Sequence, residues 1–337
     1  MSKPGLPADP EITVIICTRD RATQLASVLS SACALKVPEG LSWEFCVVDN
    51  GSSDNTPQVV REFSETLPIR YVREDVPGLS NARNRGVDEA KGRYICWTDD
   101  DVEIDPDWLS AYAEAFERHP DAAIFGGRIL PKLEGPSPAW FVACADRWPL
   151  TNLLAARDLG DDISKLTLEN GRVPWGANYA IRTAEQRTVR YDPNLGVSPN
   201  QRRLGEEAEV IFRLLRAGAT GWWVPRSKVR HAIPTRRQTR DYVYEYYFAT
   251  GETFAYLETV SPGFHHMRQT PAARSPLARA SSVLSARRVL IGALYRTWGL
   301  FGTNLRCLSF LSQLGTLDGV LAFRNRQATG KTALSTR

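Results

Sequence analysis

Apolar residues in this chain fall into short, closely spaced runs. ITVIIC (12–17), WEFCVVD (43–49), IRYVRE (69–74) and RYICWT (93–98) are rich in β-branched and aromatic residues and too short for helices. Each is predicted to be a strand, the first two fully buried. Between them apolar positions recur every three to four residues. That spacing predicts helices over 22–35, from a cap at Ser52, Ser53 or Asp54 to about 67, and over 79–92, the last closed by Gly92. Strands alternating with helices mean a parallel sheet covered on both faces. In such sheets ligands bind beyond the carboxyl ends of the strands. The rule selects three loops: TRDR (18–21), DNGSSD (49–54) and TDDD (98–101).

The pattern continues as a helix over 105–120, a strand over 122–129 and an irregular stretch rich in Pro and Trp over 131–172. WGANYAIR (175–182) reads as a strand, LGEEAEVIFRLLRAG (204–218) as a helix closed by Gly218, and TGWWVPR (220–226) as a strand leading to His231. From about Asp241 the chain turns helical. No internal repeat or low-complexity tract interrupts this order.

The 337 residues suffice for one large or two modest domains. A hydrophobic content of 43% and a charged content of 24% are ordinary for a globular protein. The placement of charge is less ordinary. From Thr259 to the end there are eleven Lys and Arg against a single acid, Asp318, whereas the preceding body carries a small acidic excess. Such asymmetry points to an anionic partner for the tail. The stretch 277–325 interleaves apolar residues with Arg287, Arg288, Arg296 and Arg306. Its runs are too short to span a bilayer but suit helices lying in an anionic membrane surface, with Trp298 or Phe301 inserted. A packed helical subdomain or a dimer contact fits the same pattern equally well. The arginine spacing matches no nucleic-acid motif, so no nucleic-acid partner is expected.

The six cysteines include no CxxC pair, and Cys17, Cys46 and Cys96 sit inside strand runs. They read as reduced thiols in a cytoplasmic setting. The opening residues lack the apolar stretch of a signal peptide, and no run reaches the roughly 18 apolar residues of a transmembrane helix.

Three consecutive aspartates cost free energy unless a cation sits among them. Two carboxylates at i and i+2 after a strand point to one side, so Asp99 and Asp101 converge on one hard cation, Mg²⁺ or Mn²⁺. Asp100 then points away, to a structural or sugar-hydroxyl contact. The plain alternative is a solvated acidic loop. Asp49 ends a strand as ribose- or base-reading acids do, though an ordinary turn also explains it. Arg19 or Arg21 suits a phosphate. Glu206 and Glu207 open a helix, where they either complement its dipole or serve as a general base. His231, among Arg230, Arg236 and Arg237, suits a metal or a phosphate, or a polar surface.

Taken together, TRDR, VVDNGSSDNT, GLSNARNRG, TDDDVEIDPDWL, WGANYAIR and LGEEAEVIFRLLRAG resemble, in kind and order, the family 2 glycosyltransferases of the GT-A fold. The likeness covers about residues 12–232. It implies an α/β, Rossmann-like, mostly parallel sheet flanked by helices, here with a C-terminal helical extension. It also implies a nucleotide-diphosphate sugar donor (a UDP-sugar favoured), a divalent metal (Mn²⁺ or Mg²⁺), and inverting transfer to a hydroxyl of a glycan, polysaccharide or lipid-linked saccharide. Matching positions make Thr18, Arg19 and Asp49 contacts to base and ribose. Asn81, Arg83 and Asn84 fall in the stretch lining the nucleotide site, which Asp99 and Asp100 adjoin. Asp99 and Asp101 match the metal motif, and His231 a position that ligates the metal in some relatives. Trp175, Gly176 and Asn178 fall in the sugar and acceptor pocket. Glu207 matches the catalytic base, with Glu206 the alternative, because the family's usual Glu-Asp pair is Glu-Glu here.

The resemblance divides residues 12–232 into a nucleotide-sugar-binding half (12–130) and an acceptor-binding half (131–232), flanked by a Pro-rich, mobile N-terminus (1–11) and a basic, amphipathic helical C-terminal region (233–337). Peripheral attachment to the inner face of a membrane would suit a lipid-linked acceptor. Two competing readings are a sugar nucleotidyltransferase and a catalytically silent glycan- or lipid-binding protein. The first should carry a Gly-rich basic loop after the first strand, and TRDR has no glycine. The second is favoured only by the Glu-for-Asp departure.

Overall fold

A computed structural model describes residues 5–169, 171–199, 201–262, 264, 281–299 and 305–329. Strand and helix alternate at first as the apolar runs predict: β1 (Ile12–Thr18), α1 (Ala22–Ala32), β2 (Trp43–Asp49), α2 (Thr56–Phe63), β3 (Ile69–Arg73), α3 (Leu79–Glu89) and β4 (Tyr94–Thr98). Then come β5 (Val102–Ile104), α4 (Trp108–Arg118), β6 (Ile124–Leu133), the one-turn helices α5 (Ala139–Val142) and α6 (Leu150–Leu153), and β7 (Ser164–Lys165). β8 (Asn178–Arg182), α7 (Thr183–Thr188), the small pair β9 (Val197–Ser198) and β10 (Gln201–Arg202), α8 (Glu206–Arg216) and β11 (Gly221–Ile233) follow. Three long helices end the described chain: α9 (Arg240–Val260), α10 (Ser281–Gly299) and α11 (Leu305–Thr329).

The main sheet runs β3-β2-β1-β4-β8-β6-β11-β5, with β7 also on β11. β3, β2, β1 and β4 are parallel, as expected. β8 is not: it lies antiparallel between β4 and β6. An antiparallel strand begins at the edge where its parallel neighbours end. That reversal brings Trp175–Asn178 beside the aspartate triplet, with Asn178 opposite Thr98. β6 runs through the 130/131 boundary and pairs with β11 as far as Leu133 and Ile233, so the two expected halves share one sheet.

Each face of the sheet is covered. Leu25, Val28 and Leu29 of α1 pack with Trp108, Tyr112 and Phe116 of α4 on one side. Ala82 and Val87 of α3 pack with Val210, Ile211 and Leu214 of α8 on the other. Each such burial stabilises by about 1.5–3 kcal/mol. Gly92 does not close α3, which ends at Glu89 with Ala90 extended. A Cβ at Gly92 would lie 2.4 Å from the Thr13 backbone nitrogen, so its need is close approach to β1.

Among the described residues no helix is long and apolar enough to cross a membrane. α11 buries Leu308, Leu311, Gly315 and Gly319 and is packed mainly on α9. Contact is backbone to backbone. Added Cβ atoms would lie 2.1 Å from the Thr316 carbonyl oxygen at Gly251 and 2.0 Å from that of Phe248 at Gly319. Gly251→Ala and Gly319→Ala are therefore each expected to destabilise by about 1–3 kcal/mol in denaturant titration. Gly292→Ala, with its nearest neighbour 4.0 Å away, should instead gain a few tenths to about 1 kcal/mol. Equal behaviour of the three would contradict this packing. The Trp298 side chain and Phe301, expected to insert in a membrane, lie outside the described residues, as do residues 1–4 of the N-terminus.

Candidate active site

A cleft of ≈ 1980 Å³ opens where β1 and β4 end and β8 begins, with Thr18, Arg19, Asp99, Asp100, Asp101, Trp175, Gly176, Glu206, Glu207 and His231 on its wall. β4 stops at Thr98, so the triplet occupies a turn and strand alternation does not extend to Asp101. The expected division of the aspartates is thereby altered. Asp100 and Asp101 share one cation: Arg21 pairs with Asp100 Oδ1 at 2.7 Å and with Asp101 Oδ2 at 2.8 Å. The Thr18 hydroxyl donates to Asp100 Oδ2 at 2.7 Å. Asp99 stands at the rim, its side chain 34% exposed, 3.5 Å from Arg83.

Burial raises the Asp100 carboxyl to about 7, against the opposing charge of Arg21. For Asp101 burial pushes the same way, but the hydrogen bond and charge of His231, with Arg21 and Arg237, outweigh it and hold the carboxyl well below the usual range. His231 Nδ1–H donates to the Leu154 carbonyl oxygen at 3.2 Å, which turns Nε2 toward Asp101 Oδ1, 3.3 Å away. Arg237 lies 3.5 Å from Asp101.

Asp99, Asp101 and His231 thus offer two carboxylates and an imidazole at one edge of the cleft. The backbone bond at Nδ1 is the outer contact that commonly orients a metal-bound histidine. Among the described residues no three His, Cys, Asp or Glu side chains already converge as a closed metal site. The donors fit a divalent cation whose remaining ligands come from substrate phosphates.

The carboxylates opposite arrive on α8. Gly205 sits at φ +81, left-handed backbone that favours glycine, and turns the chain into the helix. Glu206 is buried and accepts from Arg83 Nη1 at 2.8 Å. Burial raises its carboxyl to about 7 against Arg83. Glu207 is more open. The Gly176 N–H donates to its Oε1 at 3.1 Å, and Oε2 lies 3.9 Å from Arg83. A Cβ at Gly176 would meet the Glu207 carboxyl carbon at 3.3 Å, so the loop before β8 holds that carboxylate closely. Arg83 itself sits 5.6–6.0 Å from the ring centres of Trp97, Tyr179 and Tyr191.

Four residues expected in the site are not on the cleft wall. Asp49 is fully buried, its oxygens taken by the Ser52 N–H at 2.8 Å and the Tyr71 hydroxyl at 2.6 Å. Asn84 exchanges two hydrogen bonds with the Tyr191 backbone. Asn81 donates to the Pro77 carbonyl at 3.0 Å. Asn178 is buried beneath the pocket and bonded on every side. Side-chain direction within each of these stretches follows the local helix or strand.

Sequence reasoning named Arg237 only as a neighbour of His231 and left out the C-terminal wall. Tyr242, Tyr246, Thr250, Thr253 and Phe254 of α9, with residues of α10 and α11, line the same cleft. Their helical spacing was readable, but a tyrosine stripe reads equally as core. Arg21 stood out only as a phosphate candidate, and nothing local in the sequence pairs it with residues eighty positions on.

Residues 13–154 match the family profile described as glycosyl transferase family 2. The chain is 34% identical over 119 residues to the chondroitin synthase of Escherichia coli, covering 35% of this chain and only 17% of that protein. It is 25% identical over 262 residues to the succinoglycan biosynthesis protein ExoM of Rhizobium meliloti (strain 1021), covering 77% and 78% of the two. Among solved structures it resembles the mannosyltransferase PcManGT of Pyrobaculum calidifontis, solved with GDP-Man and Mn²⁺. The TM-score is 0.61 at 16% identity, over 98% of this chain and 90% of that one.

Proposed function

We propose that this chain, whose residues 13–154 match the glycosyl transferase family 2 profile and whose fold is that of PcManGT, moves a sugar from a nucleotide-diphosphate donor, UDP-linked in the first instance, to a glycan hydroxyl with inversion. The observation that carries this reading is that Asp99, Asp101, His231 and Glu207 line one cleft, with Arg83 3.5 Å from Asp99 and 3.9 Å from Glu207. ExoM's name attaches it to succinoglycan biosynthesis, which favours a saccharide acceptor.

Thr18 and Arg19, at the end of β1, take the nucleotide side. Arg21 and Arg237, already paired with the triplet, lie where they can meet the diphosphate and hold it by charge-assisted bonds. A divalent cation held by Asp99, Asp101 and His231 would neutralise charge on the departing diphosphate, as Mn²⁺ accompanies GDP-Man in PcManGT. Glu207 takes the proton of the acceptor hydroxyl through Oε2 while the Gly176 N–H fixes Oε1. Glu206, turned inward against Arg83, keeps the neighbouring charge balanced. Attack from the Glu207 side, opposite the diphosphate, inverts the anomeric centre in a single displacement.

Nucleotide release and sugar transfer, followed with UDP- and GDP-sugars, test this. Activity should require Mn²⁺ or Mg²⁺, vanish with chelator, and fall at least about 10²-fold in Asp101→Ala. Full activity in chelator, with Arg21→Ala inactive, would instead assign diphosphate neutralisation to the arginines alone.

A further inference from the structure

The side of α10 turned away from the protein exposes aliphatic residues beside Ser285, Arg296 and Thr297. Val289 and Leu290 are 65% and 61% exposed, and Val283 is 40% exposed. Val283, Ala286, Leu290 and Ala293 recur at three- and four-residue steps and so form one stripe. The inward face is satisfied, with Leu284 and Ile291 buried against Leu317. Burial within the described chain therefore does not explain the outer stripe.

Charge names the occupant. α10 contains no acidic residue and carries Arg287, Arg288 and Arg296. Arg288 bonds Asp318, the single acid of the tail. Among the described residues neither Arg287 nor Arg296 meets a carboxylate. An aliphatic stripe flanked by unpaired arginines, in a tail with a large positive excess, matches an anionic bilayer surface better than a protein patch. The position of the helix adds direction, because Leu284 and Arg287 also line the catalytic cleft.

We propose that α10 docks the protein on anionic membranes through Val283, Val289 and Leu290, bringing the C-terminal end of the cleft to the lipid surface. The headgroups meet Arg287 and Arg296, and the aliphatic side chains enter the acyl boundary. The inference stands apart from the transfer reading, since it needs neither donor nor acceptor.

Co-sedimentation of the full chain with phosphatidylcholine vesicles, with and without about one-third phosphatidylglycerol, tests it. The wild type should bind the anionic vesicles and release them as salt rises, and should leave the neutral ones largely free. Val289→Ser/Leu290→Ser should weaken binding at least about tenfold, and Arg296→Glu about fivefold. Both variants should keep the wild-type melting temperature, since the altered side chains face outward. A wild type that ignores anionic vesicles overturns the proposal. So does equal binding of neutral ones, or a dimer in light scattering that the serine variant dissociates while vesicle binding is unchanged.

Discussion

Glu207→Gln is expected to lower kcat by about 10²- to 10⁴-fold, the range of a positioned general base, and to leave donor binding nearly intact. The substitution keeps the side-chain volume and retains an oxygen for the Gly176 N–H, which bonds Oε1 at 3.1 Å. What it removes is the proton acceptor we propose. The loss should therefore fall on kcat rather than on donor KM. Glu206→Gln is the informative control. Burial lifts that carboxyl to about 7 despite Arg83, so near neutrality its amide resembles a form the protein already populates. Activity should stay within about tenfold of wild type.

Glu206 also carries a pH signature. A carboxyl whose folded pKa lies above its unfolded value of 4.5 favours the fold when protonated. That contribution is complete below about 4.5, declines as pH rises, and is lost above about 7. In Glu206→Gln the decline should flatten. Should Glu206→Gln silence the enzyme while Glu207→Gln spares it, the roles of the two carboxylates are exchanged.

Strand identity was legible in the sequence because short β-branched runs admit few alternatives; β2 spans 43–49 as predicted. Direction was less legible. The run at 175–182 reads the same forward or reversed, and only pairing with β4 and β6 makes β8 antiparallel. The aspartate triplet shows the same limit at the site. Its position after β4 was predictable, but alternation failed because the strand ends one residue earlier, and Arg21, distant in sequence, draws Asp100 and Asp101 together. Motifs locate a loop. Which side chain of the loop faces the cleft depends on contacts made from elsewhere in the chain.

Asn178→Ala is expected to cost about 3–5 kcal/mol of stability, an exceptional value for one substitution. The resemblance assigns this residue to the sugar pocket, and the geometry gives it other work. Oδ1 accepts from Trp108 Nε1 at 2.8 Å and from the Tyr112 hydroxyl at 2.7 Å. Nδ2 donates to the carbonyls of Arg128 and Ser227, both at 3.0 Å. An amide has two donors and two acceptor sites, and all four are used in a fully buried position. The side chain ties α4 to β6 and β11 at the base of the cleft. Gly127 leaves room for it, since a Cβ there would lie 2.2 Å from Nδ2. Removing the amide strands two donors and two carbonyls among buried aromatics, and each unsatisfied group costs about 1–3 kcal/mol, partly recovered by an entering water. Asn178→Asp sharpens the test. Its second oxygen faces two carbonyl acceptors, so the folded state requires the protonated acid and raises its pKa. The variant should then be most stable below the unfolded aspartate value of about 4 and lose stability as pH rises, while wild type shows no such added decline. A sugar-contacting role predicts the opposite pattern in denaturation and kinetics: unchanged stability in both variants and a raised substrate KM.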